Sequence, residues 1–385
     1  MKTTLLFSFL FLNMLCGFAQ SARLTILSQI NLPHDSLTKH KLLNSLDIFL
    51  KEKNHDLLDS KVVEPAHYAK FGFFFDFFKN IEKSERYKDT LFFKCYLKNV
   101  VLQPDKSYKI ALSYYGISPQ KEVINRLDIW MLAKEGDEFF TFYCPFETNT
   151  KDWKHKKIGN VSFFYEKKFN AKVAKDFDQY STFLAKQLNV KPLQMMYYKF
   201  ADIQDVYKSL GVEYIQSRNG STRAWLVNER NNVVLSGTNS EQYKHDLTHW
   251  YFGLVRPDSL QNWTAEEGYN IYKTDYWGES SEQNFQYLKD FTVANPDVSL
   301  LDAFDKNPIL HHPIQIKYPI AAVLMRKIDK EYGFVKVLEM ASCGESDAAF
   351  FATLQKITGI TKENFDKTVR MELQKDPLLK TPIIR

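Results

Sequence analysis

Cysteine, glycine and proline are scarce, at 4, 14 and 13 among 385 residues. So few cysteines exclude a disulfide scaffold, and without repeats or low-complexity tracts the chain reads as ordinary folded domains. Beyond Ala19 no run approaches the about 20 uncharged apolar residues that a membrane-spanning helix needs. An excess of one charge is also missing: 51 Lys and Arg against 46 Asp and Glu give a net +5, with the two signs interspersed. Nucleic acid or another polyanion is therefore not implied as a partner. The densest basic stretch, Lys151-Asp152-Trp153-Lys154-His155-Lys156-Lys157, reads as a solvated connector at a domain junction.

What is present begins with a leader. Met1 to Ala19 carries one early lysine, an apolar run from Leu5 to Leu15, and Gly17-Phe18-Ala19 before Gln20. Small residues at the third and first places before the cut suit a secretory signal peptidase. Cleavage is therefore expected after Ala19, making the protein exported, periplasmic or secreted. Leu15 argues against a lipoprotein at Cys16, because a small residue is expected there. Without the leader the cysteines are Cys95, Cys144 and Cys343. Cys95 and Cys144 fall in expected strands of one domain, either as a disulfide pair or as two buried thiols.

A hydrophobic content of 44%, with 15% aromatic, is enough to fill the cores of the two domains that the length suggests. Residues 20–158 read as an α+β unit. Leu42, Leu43, Leu46, Phe49 and Leu50 predict a helix over 39–53, and Phe71, Phe74, Phe75 and Phe78 predict another over 68–87. Four β-rich runs follow at 91–97, 108–115, 127–132 and 139–144, separated by turn signals such as Pro104-Asp105 and Glu135-Gly136-Asp137. They predict an antiparallel meander wrapped on its helices, a pattern similar to NTF2-like cones. Its aromatic clusters read as core, and no chemistry is assigned to it.

Residues 159–385 change pattern. Strands are expected over 160–165 and 195–200, a helix over 171–188, and a hairpin from 224–227 and 232–235 across Glu229-Arg230-Asn231. Helices then dominate, with 283–293, 300–304 and 318–332 as candidates.

The stretch from Thr238 to Tyr272 holds the only residues whose types and spacing together suggest chemistry. Thr238 followed by Glu241 is a capping-box signature and predicts a helix running toward Leu254, ahead of Pro257. His245 and His249, four apart on that helix, stand one turn above each other. Two imidazoles so placed reach one metal ion without backbone strain, and a carboxylate or another imidazole from a second element makes a third ligand. Glu267 is the candidate. It precedes Gly268 in a short expected helix with Ala265, Ile271 and Tyr272. Asp246 points about 100° around the helix from His245, toward the position that water would take.

His245-Asp246-Leu247-Thr248-His249 resembles the H-E-x-x-H helix of zinc metallopeptidases. Trp263 through Glu267-Gly268 to Tyr272 resembles the W-x-x-E-G-x-A-x-Y helix of the gluzincin clan, the thermolysin-like or peptidase MA-like group. Two departures stand out: Asp246 occupies the place of the clan's general-base glutamate, and Trp263 lies one residue further from the glutamate than usual. Tyr318, opening Tyr318-Pro319-Ile320-Ala321-Ala322, is similar to a transition-state tyrosine that gluzincin aminopeptidases carry in a Y-x-K-G-A context, with Ile320 and Ala321 replacing lysine and glycine. His311 and His312, just upstream, read either as donors to the oxyanion or to the ligands or, in preference, as a solvated loop pair.

The resemblance implies a gluzincin-like domain over 159–385, a small sheet lobe followed by a helical lobe. It also implies Zn²⁺ held by His245, His249 and Glu267, with a peptide or protein substrate hydrolysed by metal-activated water. Asp246 would take and return the proton, and Tyr318 would donate a hydrogen bond to the oxyanion. Aspartate is one methylene shorter than glutamate. Unless the helix sits closer to the metal, a general-base contribution of order 10²–10⁴ is lost while metal binding survives. From the sequence, three readings stay open: a zinc peptidase weakened by Asp246, an inactive binding protein that keeps the zinc site or a peptide groove, and a scaffold with no metal.

Overall fold

A computed structural model describes residues 23–218, 220, 225–228 and 231–375. The expected leader, Ala224 and the Glu229-Arg230 hairpin tip lie outside them. The described chain mixes helix and sheet, as the α+β class requires, and divides into two compact units. The first comprises the described residues up to Lys157, with Val161–Phe169 and Met195–Glu241. The second comprises Ile158–Asn160, Asn170–Gln194 and the described residues from Gln242 onward.

The first unit opens with β1 (Leu24–Ile26), then β2 (Lys94–Leu102), β3 (Tyr108–Ile117), β4 (Val123–Glu135) and β5 (Phe140–Tyr143), side by side in that order. β2 to β5 form the expected antiparallel meander, and β1 joins its edge in parallel. Next along the chain come β6 (Lys154–Ile158), β7 (Val161–Tyr165), β8 (Met195–Lys199), β9 (Val212–Ile215), β10 (Trp225–Asn228) and β11 (Val233–Ser236). β4 is long enough to serve two partners: Leu132 to Glu135 pair with β5, and Leu127 to Ile129 pair with β9. A second sheet runs β10-β11-β8-β7-β6, with the expected β10–β11 hairpin antiparallel and β11–β8 and β8–β7 parallel.

The meander's core is aromatic. Helix Ser36–Glu52 starts where Asp35 accepts a hydrogen bond from Thr38 N at 2.6 Å, and it buries Leu42, Leu46, Phe49 and Leu50 at helical spacing. Phe49 meets Phe75, Phe78 and Phe142 at centroid separations of 6.2, 5.1 and 5.6 Å, so these rings fill the core. The second predicted helix is shorter than its pattern. It spans Pro65–Phe75, kinked at Phe71 (φ −127°), with a 3₁₀ turn to Phe78, and stops there because Asn80 turns the chain at φ 51°. Cys95 and Cys144 are separate buried thiols.

Among the described residues, the second unit is helical apart from Ile158 at the end of β6 and a small hairpin of Ile309–His311 with Ile314–Gln315. Helix Ala171–Leu188 is capped by the Asn170 side chain and stopped by Asn189 in the left-handed region at φ 55°. Among the described residues no helix is long and apolar enough to cross a membrane.

Candidate metal centre

The histidines stand on a short helix, His245–Gly253. It begins seven positions later than Thr238, because the groups of the expected capping box are used elsewhere. The buried Glu241 carboxylate takes an ion pair from Lys199 Nζ at 3.0 Å, and the Thr238 hydroxyl bonds Ser236 Oγ at 2.9 Å. The helix is instead fixed by its inner face. Leu247, Tyr251 and Phe252 are buried, and Tyr251 Oη bonds Ser181 Oγ at 2.8 Å and accepts from Leu193 N at 2.9 Å. Thr248 Oγ1 lies 3.1 Å from Tyr180 Oη. These bonds lock the His helix to Ala171–Leu188, so the two imidazoles have a rigid base.

The third ligand candidate comes from helix Trp263–Lys273, capped by Asn262, whose side chain accepts from Ala265 N at 3.0 Å. This helix packs on Lys317–Tyr332 at a glycine. A Cβ on Gly268 would stand 2.7 Å from the Ala321 carbonyl carbon. Only glycine permits so close a backbone approach. The residue after Glu267 therefore sets how deep its helix sits against the helix that opens with Tyr318, and the Lys273–Asp329 ion pair at 2.6 Å ties the same two helices.

These elements bring three predicted ligands to one point. Glu267 Oε2 lies 3.2 Å from His245 Nε2, and Glu267 Oε1 lies 3.4 Å from His249 Nε2. The two separations run to different oxygens of one carboxylate, so Glu267 spans the two imidazoles as an ion-paired partner of both. Glu267 Oε2 is buried without a well-formed hydrogen bond, as is His245 Nδ1. Asp246 belongs to the same cluster: it, His245 and His249 each offer an atom within 4.8 Å of the others. Its Oδ1 accepts a hydrogen bond from Tyr243 Oη at 2.8 Å.

Sequence reasoning missed the support behind His249. Glu266, completely buried, accepts from His249 Nδ1 at 2.6 Å and Gln261 Nε2 at 3.0 Å, and pairs with the buried Arg256 guanidinium. A carboxylate on Nδ1 fixes the ring's orientation and leaves the Nε2 lone pair of the neutral imidazole facing Glu267. Asn270 Nδ2 stands 3.0 Å from that Nε2. The signal available was a second glutamate beside the first, with Asn270 four residues on, but pairing across elements leaves no periodicity to read.

The charges are coupled. Burial alone would lower His249, but hydrogen bonds with Glu266 and Glu267 outweigh it and hold the imidazole above its usual range. Burial would raise Glu267, yet His245 and His249 hold it below the usual carboxylate range. A metal binding here must therefore displace a proton from His249. Asp246 is pushed up by burial, against the pull of both histidines.

Tyr318 stands at the start of Lys317–Tyr332, half-buried, with its phenol raised by burial and by Glu267. A second phenol, Tyr276, was not foreseen; its ring lies 5.5 Å from His245 and 6.2 Å from Tyr318. His311 and His312 are exposed, and His311 stacks on Tyr287 at 4.1 Å. No known protein-family model matches the chain, and no curated protein is significantly similar to it.

Proposed function

We propose that the chain is a zinc-dependent peptidase of the gluzincin kind, acting on peptide or protein substrates through a centre at His245, His249 and Glu267. One observation carries this: two imidazole Nε2 atoms from one helix and a carboxylate from the next converge at 3.2 and 3.4 Å, with a buried carboxylate behind His249. Two nitrogens and one oxygen suit zinc, and three protein ligands leave a coordination position open, as in catalytic zinc sites. The likeness of 245–249 and 263–272 to gluzincin helices supports the same reading, and the two-lobed architecture over 159–385 belongs to this proposal. Export after cleavage at Ala19 belongs to it as well.

When bound, the ion supplies Lewis acidity and lowers the pKa of water toward about 7. The chain's own residues supply the rest. Glu266 and Arg256 hold His249 in position, and Gly268 lets the Glu267 helix settle against Ala321. Asp246 accepts a proton and returns it to the leaving amine, while Tyr318 donates a hydrogen bond to the developing oxyanion.

A second reading, a peptidase-like protein that keeps the metal or peptide groove without turnover, is favoured by one observation. Asp246 is short and already engaged by Tyr243 at 2.8 Å. Hydrolysis of an unstructured protein by the zinc-loaded chain separates the two. The enzyme reading expects cleavage that a chelator abolishes, zinc restores and His249→Ala lacks. Zinc bound without cleavage by either the native chain or Asp246→Glu selects the binding protein.

A further inference from the structure

The first unit holds a cavity of about 620 Å³, within the size range of sites that enclose a small molecule. Arg86, Arg126, Lys79 and Lys83 line it against one carboxylate, Glu85. That acid is taken by Lys83 at 2.7 Å, and Lys79 pairs with Asp76 at 2.6 Å. Among the described residues neither arginine forms an ion pair; Arg126 donates to the Gln216 side-chain oxygen at 3.3 Å. Both stand on aromatic rings instead, Arg86 over Tyr87 at 5.6 Å and Arg126 over Phe93 at 5.5 Å. A guanidinium over a ring face is attracted by the ring quadrupole, while its N–H groups point outward in its own plane and stay free for an anion. The rings are fixed in turn. Tyr87 stacks on Phe92 at 4.4 Å, Phe92 meets Phe93 edge-on at 4.8 Å, and Phe93 is buried. The loop that carries Arg86 is closed by backbone hydrogen bonds between Ser84 and Asp89 at 2.8 and 3.2 Å, and by Tyr87 N on Ser84 Oγ at 3.3 Å.

We propose that this cavity binds the phosphate group of a small molecule, with Arg86 and Arg126 as its direct ligands and Lys79 and Lys83 adding attraction. Arginine's planar fork matches a phosphate with two parallel N–H donors, and two such forks without a carboxylate partner are donors that an oxyanion satisfies. Four cations against one acid favour a dianion over a single carboxylate, because each further charge is drawn by the same field. Tyr87, Phe93 and Ile124 supply the apolar part of the lining, where the organic part of a phosphate ester would lie. The site gives the first unit a ligand of its own and stands whether or not a metal binds at His245, His249 and Glu267.

The test is calorimetric titration of the full chain with phenyl phosphate, inorganic phosphate and benzoate, at low ionic strength and about pH 8, where a phosphate monoester is dianionic. Phenyl phosphate should bind once per chain and about tenfold or more tighter than benzoate, which has the same ring and a single charge. Arg126→Gln and Arg86→Gln should each weaken it about tenfold. Glu85→Gln removes the one acid of the lining and should tighten it. Lys167→Gln, an exposed lysine outside this cavity, should leave it unchanged. Arg86 and Glu85 are exposed, so their variants should unfold at the native temperature and carry the test even where Arg126→Gln does not fold. No binding of phenyl phosphate, affinity within about twofold of native in Arg86→Gln, or an equal loss in Lys167→Gln would overturn the proposal. Inorganic phosphate bound as tightly as phenyl phosphate would uphold it with a free anion as the ligand, and weaker binding of inorganic phosphate would uphold it with an ester.

Discussion

Glu266→Gln isolates the group that would orient His249 in the proposed metal centre. The native carboxylate is fully buried and accepts from His249, Gln261 and Arg256, using both oxygens. An amide has one acceptor end and one donor end. With its oxygen toward His249, its NH₂ group meets the buried Arg256 guanidinium, donor against donor. Turned the other way, the NH₂ group meets Nδ1 and drives the ring proton to Nε2, the nitrogen that faces Glu267. The first arrangement leaves a buried charge without compensation, a loss of about 3–5 kcal/mol. The second removes the lone pair that would bind the metal, and losing a supporting partner of this type costs about 10–100-fold in affinity. Urea unfolding of the chelated protein should therefore drop by about 3 kcal/mol, and competition against a chromophoric chelator should show zinc held about 10–100-fold more weakly. Glu266→Asp, which keeps the charge, should recover part of both. Zinc affinity within about twofold of native in Glu266→Gln would refute the argument that Glu266 orients His249.

Other perturbations probe separate links. Asp246→Glu lengthens the proton acceptor by one methylene and should raise peptide hydrolysis by roughly 10²-fold if reach limits the reaction; an unchanged rate contradicts Asp246 as the base. Gly268→Ala puts a methyl 2.7 Å from the Ala321 backbone and should cost about 1–3 kcal/mol in denaturant unfolding while weakening zinc binding; a neutral result would mean that the two helices part freely. Asp128 on β4 bonds Ser113, Asn125 at 2.6 Å and Lys98 at 3.2 Å, and these outweigh the upward push of burial to hold its carboxyl below the usual aspartate range. A lowered carboxyl contributes stability that is present above about pH 3.8 and lost as pH falls through its folded value. Asp128→Asn should therefore destabilise the protein by about 1–3 kcal/mol at pH near 6 and much less at pH near 2, as read by urea midpoints; equal losses at both would argue against a charge effect.

That His245, His249 and Glu267 come together was legible because it depends on one element at a time. The four-residue step from His245 to His249 is a property of any helix, and Glu267-Gly268 sits on the next one. What escaped is what depends on partners from elsewhere. The start of the His helix moved from Thr238 to His245 because Lys199 claims Glu241, a pairing across 42 positions. Glu266 reads as a surface acid until Arg256 and His249 close on it. In the first unit the alternating runs of β2 to β5 announced a meander, since neighbouring strands in the chain are neighbours in the sheet. The parallel pairings of β8 with β7 and β11, and of β1 with β2, needed long connections that no local pattern reports.

The central claim is that His245, His249 and Glu267 form one metal site, and elemental analysis of the purified chain tests it most directly. Protein prepared without chelator and offered excess zinc should carry one zinc per chain, and His245→Ala, still folded by circular dichroism, should carry none. A native chain without zinc, or a His245→Ala variant that keeps it, would contradict the account.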